Sequence, residues 1–203
     1  MPYAGVVVAY LLGSTPFAYF AGRLLKGIDL RRHGSGNLGA TNVFRTLGAP
    51  AGIAVFALDA LKGALPVVVF PRLFGGEGTL GWPIAFGVFA IVGHVRPYGG
   101  LFKGGGKGVA TAGGVFAALA PLPFAISITT FLAVVAATRY VSLGSLIGGV
   151  ALTLALVVTR GPSSPVTWVA IMVCAFVFWT HRANIVRLRK GTEARVGRAK
   201  PAT

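Results

Sequence analysis

Apolar residues along this chain gather into long, nearly uncharged blocks, separated by short polar stretches rich in glycine and arginine. The blocks fall at about 3–25, 50–71, 82–97, 142–159 and 165–181. Each approaches the ~20 residues needed to cross a bilayer. In hydrocarbon the helix is the default, because it satisfies every backbone polar group within its own segment. Residues 109–139 read differently, being long for one span and short for two. Pro121 and Pro123 interrupt that stretch, and proline removes a helical donor and clashes with the preceding turn.

Basic residues decide how the stretch is read, since cytoplasmic loops collect Lys and Arg. With the N-terminus outside and 109–139 split into two helices, sixteen basic residues fall inside, against Arg72 and Arg160 outside and Lys62 within a span. With one helix over 109–139 they divide evenly, nine and nine. The pattern predicts an all-α integral membrane protein of seven transmembrane helices, with the C-terminus cytoplasmic. Residues 1–203 read as a single multi-spanning domain ending in a short basic tail from about 182.

Composition agrees. The 203 residues are 55% hydrophobic and only 11% charged, where a soluble domain carries about 25%. Nineteen Lys and Arg stand against four Asp and Glu. Such an excess suggests nucleic acid or an anionic membrane surface. Here it sits beside apolar blocks, where topology accounts for it, so nucleic acid is disfavoured. The single cysteine, Cys174, lies in an apolar block, which rules out an intrachain disulfide and makes a poor nucleophile. No Lys or Arg precedes the first block, so the basic start of a cleavable signal is missing.

Three polar segments fall on the predicted cytoplasmic face, where they can build one site. The first, "RRHGSGNLGATNVFR" at 31–45, has the composition of an anion cradle: Gly34, Gly36 and Gly39 free the backbone amides. Ser35, Asn37, Thr41 and Asn42 add hydrogen-bonding groups, and Arg45 a planar charged fork. A plain flexible loop fits that composition as well. The second, "GHVRPYGGLFKGGGKGVAT" at 93–111, places Lys103, Gly104, Gly105, Gly106 and Lys107 just before a helix predicted from Val109. Free amides, a helix N-terminus and lysines then meet at one place. It is not a Walker A loop, because Leu101 stands where that pattern needs glycine and Gly108 where it needs Ser or Thr.

The third segment, "THRANIVRLRKGTEAR" at 180–195, sets His181 and Asn184 on one helical face. A basic stretch at a membrane edge also binds anionic lipid. Asp59 and Lys62 sit three residues apart inside the second block, and an internal ion pair is the plainer account of them. Asp29, Asp59, Glu77 and Glu193 are scattered. They form no paired-carboxylate motif, no metal-ligand spacing and no assignable Ser–His–Asp arrangement.

These motifs resemble those of the bacterial acyl-phosphate:glycerol-3-phosphate acyltransferases. Gly34 to Arg45 is similar to that family's GSGNxGATNxxR. The stretch from Gly93 is similar to GHxxPxxxxFKGGKGVAT, with one extra glycine at 104–106. His181 to Glu193 is similar to HRxNxxRLxxGxE, and Asp59 to Gly63 to DxxKG. The resemblance implies a seven-helix bundle in the bacterial cell (inner) membrane with a cytoplasmic-side site. It implies acyl transfer from a fatty acyl phosphate to the 1-hydroxyl of sn-glycerol 3-phosphate, giving lysophosphatidic acid and phosphate. No cofactor, metal or obligatory protein partner is implied. Ser35, Gly36, Asn37, Thr41, Asn42, Arg45 and Lys103 to Lys107 then become phosphate-binding candidates. His94, His181, Asn184 and Ser35 become candidates for the chemistry, with His94 or a donor phosphate oxygen as base.

Two rivals remain on the residues alone. An organic-anion transporter also uses glycine-rich helix ends, but the polar motifs lie on one side, without repeated halves. A lipid-binding structural protein would account for 180–200 and not for the first two segments. For the orientation, a single cysteine in the C-terminal tail of a Cys174-free chain is expected to react with an impermeant thiol reagent only from the cytoplasmic side. Reaction only from outside overturns it.

Overall fold

The computed structural model describes residues 1–100 and 102–196, and among them every regular element is helical. Leu101, and Arg198 and Lys200 of the basic tail, lie outside the described residues. The described residues pack as two compact units, one running Met1–Pro121 and the other from Leu122 onward.

The first unit opens with a helix that breaks. An uninterrupted helix was the expectation for 3–25; α1 instead covers Pro2–Gly13 and α2 covers Phe17–Lys26. Pro16 lacks the amide that would continue the ladder, and the Ser14 hydroxyl turns back onto the Tyr10 carbonyl at 2.9 Å. The Thr15 carbonyl, at the break, accepts the Phe17 amide at 3.2 Å and keeps a second lone pair for another partner. After a single 3₁₀ turn at Leu30–Arg32 come α3, Ala40–Leu47, and α4, Ala49–Phe74, joined at Gly48 with φ +97°. Then follow α5, Gly81–Val95, and α6, Val109–Leu119. The helix expected from Val109 begins there.

The second unit holds α7, Pro121–Thr138, α8, Val141–Arg160, α9, Pro165–Thr180, and α10, Arg182–Arg189. The stretch 109–139 is therefore two helices, as the prolines and the charge distribution required. Between α9 and α10 the chain bends by 60°.

Among the described residues, membrane-crossing length is met by four stretches: 2–26 taken across its break, α4, α7 and α8. The bent pair α9–α10 makes a fifth. The remaining two apolar helices, α5 and α6, are shorter. At 1.5 Å per residue α6 extends only about 16 Å, short of a hydrocarbon core of about 30 Å.

Small residues let the helices of the first unit approach closely. A Cβ at Gly114 of α6 would land on the Ala60 carbonyl of α4, and one at Gly63 of α4 on the Thr111 carbonyl of α6. Gly13 and Gly93 meet their neighbours' carbonyls in the same way between α1 and α5. In lipid, where apolar burial between helices gains little, such backbone contact is the main source of packing energy. Gly114→Ala is expected to cost about 1–3 kcal/mol through overpacking. Gly81→Ala, with nothing within 4 Å of the added methyl, should leave the Tm near its parent value. Thermal unfolding in detergent micelles reads both.

Candidate active site

The first polar segment folds around a buried amide. Asn42, 2% exposed, donates through Nδ2 to the Leu30 carbonyl at 3.3 Å and the His33 carbonyl at 3.1 Å. Its Oδ1 accepts the Ser35 amide at 2.9 Å. Both edges of the side chain thus serve the loop's own backbone. Gly34 and Gly36, at φ +62° and +71°, let the chain wrap this amide, and any Cβ at Gly34 would strike Asn42 Oδ1. Ser35 and Arg45 stay exposed at the surface of the segment, and Thr41 is half-buried.

Arg31 and Asn37 tie this segment to the second one. The Asp29 carboxylate takes the Arg31 guanidinium in a two-point grip, Nη2 to Oδ2 at 2.6 Å and Nε to Oδ1 at 2.9 Å. The same guanidinium donates from Nη1 to the Lys103 carbonyl at 3.2 Å. It also lies over the Phe102 and Tyr19 rings, 4.8 and 5.1 Å from their centroids, which adds cation–π attraction. Asn37 Nδ2 reaches the Gly105 carbonyl at 3.0 Å. The Arg31 hydrogen bonds hold the Asp29 carboxyl down to about 2, and Asp29 in turn raises Arg31 above its ordinary value.

Beneath the second segment sits His94, 6% exposed. Its carbonyl accepts the Gly106 amide at 3.2 Å. Gly106 lies so close over the imidazole that a Cβ there would overlap Nε2. On its other side His94 Nδ1 stands 3.5 Å from Asp59 Oδ1. The pair expected between Asp59 and Lys62 is formed, at 2.8 Å, and Lys62 Nζ also donates to the Thr15 carbonyl at the α1–α2 break, at 2.8 Å. Ser14, Asp59, Lys62, His94, Gly105 and Gly106 help line a narrow cleft of about 10 Å³. Lys103 is exposed and Lys107 half-buried. Gly104 and Gly108 take left-handed φ of +102° and +83°, the latter as N-cap of α6.

In the second unit, His181 caps α10 and lies 3% exposed, with Nδ1 2.8 Å from the Val177 carbonyl. Asn184 Nδ2 donates to Glu193 Oε1 at 2.6 Å, Ser142 Oγ to the same oxygen at 2.9 Å, and Arg187 Nε to Oε2 at 2.7 Å. Burial alone would push the Glu193 carboxyl up. The hydrogen bonds from Asn184, Arg187 and Ser142 and the Arg187 charge outweigh it and hold the carboxyl below the usual carboxylate range. Among the described residues no cluster of three or more His, Cys, Asp or Glu is placed to hold a metal ion.

Residues 3–191 match the family model described as Glycerol-3-phosphate acyltransferase. The chain belongs to the glycerol-3-phosphate acyltransferase family. A family member from Bacillus velezensis is 42% identical over 195 residues, covering 94% of this chain and 95% of that one. One from Geobacillus kaustophilus is 44% identical over 191 residues, with 94% of each covered. Among solved structures, PlsY, an integral membrane glycerol 3-phosphate acyltransferase, matches in its glycerol 3-phosphate form. The TM-score is 0.87 at 41% identity, over 97% of this chain and 96% of that one. Its lysophosphatidic acid form matches with a TM-score of 0.84 at 40% identity, over 97% and 95%. This acyltransferase chain is thus an all-helical integral membrane protein.

Three contributors to the candidate site had no distinct signal in the residue pattern. Arg31 stood among basic residues that topology alone accounts for, and its aromatic partners lie twelve residues upstream and in a different segment. Asp29 was one scattered acid among four. Thr15 acts through a backbone carbonyl, for which only the nearby Pro16 is a sign.

The Asp29–Arg31 grip has a pH signature. A carboxyl whose folded value is lowered adds stability that is complete above its unfolded value of about 3.9. That contribution is lost as the pH falls toward about 2. Denaturant unfolding followed from about pH 5 down to about pH 2 should show this loss in the parent. Asp29→Asn should be weaker at neutral pH and lack that part of the acid limb.

Proposed function

We propose that this chain moves a fatty acyl group from acyl phosphate to the 1-hydroxyl of sn-glycerol 3-phosphate, giving lysophosphatidic acid and inorganic phosphate. The observation that carries the reading is the pairing of two glycine-rich segments through Arg31 and Asn37, because a reaction between two phosphate-bearing molecules calls for two adjoining anion sites. Exposed Arg45, Ser35 and Lys103, with Lys107, are the proposed phosphate ligands, alongside amides of Gly104 and Gly105; the Gly36 and Gly106 amides, also expected there, are taken by the His33 and His94 carbonyls. Thr41 and Asn37 assist. Asn42 orders the first loop for them.

The chemistry asks little of an enzymic base. An acyl phosphate is a mixed anhydride, so its phosphate is already a good leaving group. The glycerol hydroxyl oxygen attacks the acyl carbon, the carbon–oxygen bond to phosphate breaks, and a donor phosphate oxygen takes the hydroxyl proton. Holding both head groups in contact and stabilising the developing negative charge supply the acceleration. His94, packed under Gly106, supports the loop in this scheme. In the second unit His181 and Asn184 are the further candidates, held by the Val177 carbonyl and by Glu193 respectively.

The same proposal holds that the apolar helices make seven passes of a bacterial inner membrane. The N-terminus lies outside, and the site opens to the cytoplasm. The distribution of basic residues and the separation of α6 from α7 support this count. The acyl chain then stays in lipid while the head groups react at the edge.

Purified protein in lipid, given acyl phosphate and glycerol 3-phosphate, is expected to release phosphate and lysophosphatidic acid in equal amounts. No turnover sinks the reading. Arg45→Lys keeps the charge and loses the bidentate fork, so kcat/KM should fall about tenfold or more. Full activity in that variant would remove Arg45 from the phosphate site.

A further inference from the structure

The ion pair inside α4 is more than a staple of its own helical turn. Asp59 and Lys62 are 1% and 3% exposed, and each also reaches a different element. Lys62 Nζ holds the Thr15 carbonyl at the α1–α2 break at 2.8 Å, and its ammonium lies 5.3 Å from the Phe17 ring centroid. Asp59 Oδ1 faces His94 Nδ1 on α5 at 3.5 Å. From there the path continues without a gap into the glycine-rich loop. The Gly106 amide donates to the His94 carbonyl, and the Gly106 Cα lies against the imidazole. Gly105 packs as closely on the Val95 carbonyl. Absence of side chains at 105 and 106 is what permits this seating.

Buried ion pairs add little stability compared with apolar residues of the same size, because desolvation cancels most of the attraction. Ionisable groups kept within a membrane protein therefore call for a use beyond stability. We propose that Asp59 and Lys62 are positioning residues for the glycine-rich loop. Their buried pair fixes the His94 ring, and the ring sets the height and tilt at which Gly104 to Lys107 present themselves to a substrate phosphate. The proposal rests on the acyl-transfer reading and adds two residues that act through the loop. Lys62 fastens the same assembly to the broken first span, so helix break, ion pair, imidazole and loop move as one body.

The test uses the full chain purified in lipid. The double variant D59N/K62M removes both charges together, leaving no unpaired charge buried, while the Thr15 carbonyl keeps the Phe17 amide at 3.2 Å. Its Tm should stay close to the parent value, while the KM for whichever phosphate substrate the loop holds rises about tenfold with a smaller change in kcat. Parent values of both kinetic constants at a parent Tm would assign the pair to structure alone and overturn the proposal.

If the double variant loses its Tm, H94N asks the same question with the ion pair intact. Asparagine keeps a polar group facing Asp59 but puts no ring under Gly106, so the same rise in KM is expected at a retained Tm. An unchanged KM overturns the proposal, and so does collapse of the Tm in both variants. Absence of turnover in the parent would instead remove the acyl-transfer reading. In that case calorimetric binding of glycerol 3-phosphate and of inorganic phosphate to parent and variants makes the comparison directly, and equal affinities overturn the positioning role.

Discussion

An ammonium group buried among apolar helices must find all its hydrogen-bond partners inside the protein. Lys62 pairs with the Asp59 carboxylate at 2.8 Å and donates to the Thr15 carbonyl at the break before Pro16. Each of these groups would be costly alone. A buried carboxylate and a buried lysine, each costly when unpaired, largely offset one another here. The break in the first span is thus compatible with membrane burial because α4 carries a donor at the matching height. Close seating of α6 on α4 through Gly63 and Gly114, in turn, keeps that height defined.

Upward from this buried cluster, the architecture is a series of backbone groups satisfied by side chains. His94 receives Asp59 below and Gly106 above. Arg31 and Asn37 then take the carbonyls of Lys103 and Gly105 from the side. A glycine-rich loop has little intrinsic stiffness, since glycine loses more conformational freedom on ordering than any other residue. Here the ordering comes from outside the loop, from three neighbouring elements. Amides arranged beforehand in this way need no reorganisation when charge develops, the condition under which electrostatic stabilisation is most effective.

Much of this could be read along the chain. Apolar blocks located the helices within a few residues, Pro121 separated α6 from α7, and Asp59 and Lys62 three residues apart announced their pairing. The motifs around Ser35, Lys107 and His181 identified the family before any geometry was available. What escaped was cooperation across distance. Arg31 and Lys103 are seventy-two positions apart, and no local periodicity records that one side chain holds the other's carbonyl. The Pro16 break was hidden for a related reason: an apolar block of full spanning length looks continuous, and only the ladder shows where it stops. Asn42 was legible as polar but not as inward-facing, because a polar loop residue gives no sign of which side it turns to.

The grip of Asp29 on Arg31 also shapes the field that an approaching anion meets. Its two charges nearly cancel at a separation of 2.6 Å, so one of the arginines nearest the glycine loop adds almost nothing to the long-range attraction. On the proposed reading, capture of phosphate head groups from solution then falls to exposed Arg45 and Lys103. Attraction between exposed charges fades beyond about 8 Å at physiological ionic strength. Encounter is accordingly salt-sensitive, whereas the framework that receives the ligand, built on paired and partly buried charges, is not. The rate of arrival and the geometry of binding are thereby placed under separate physical control.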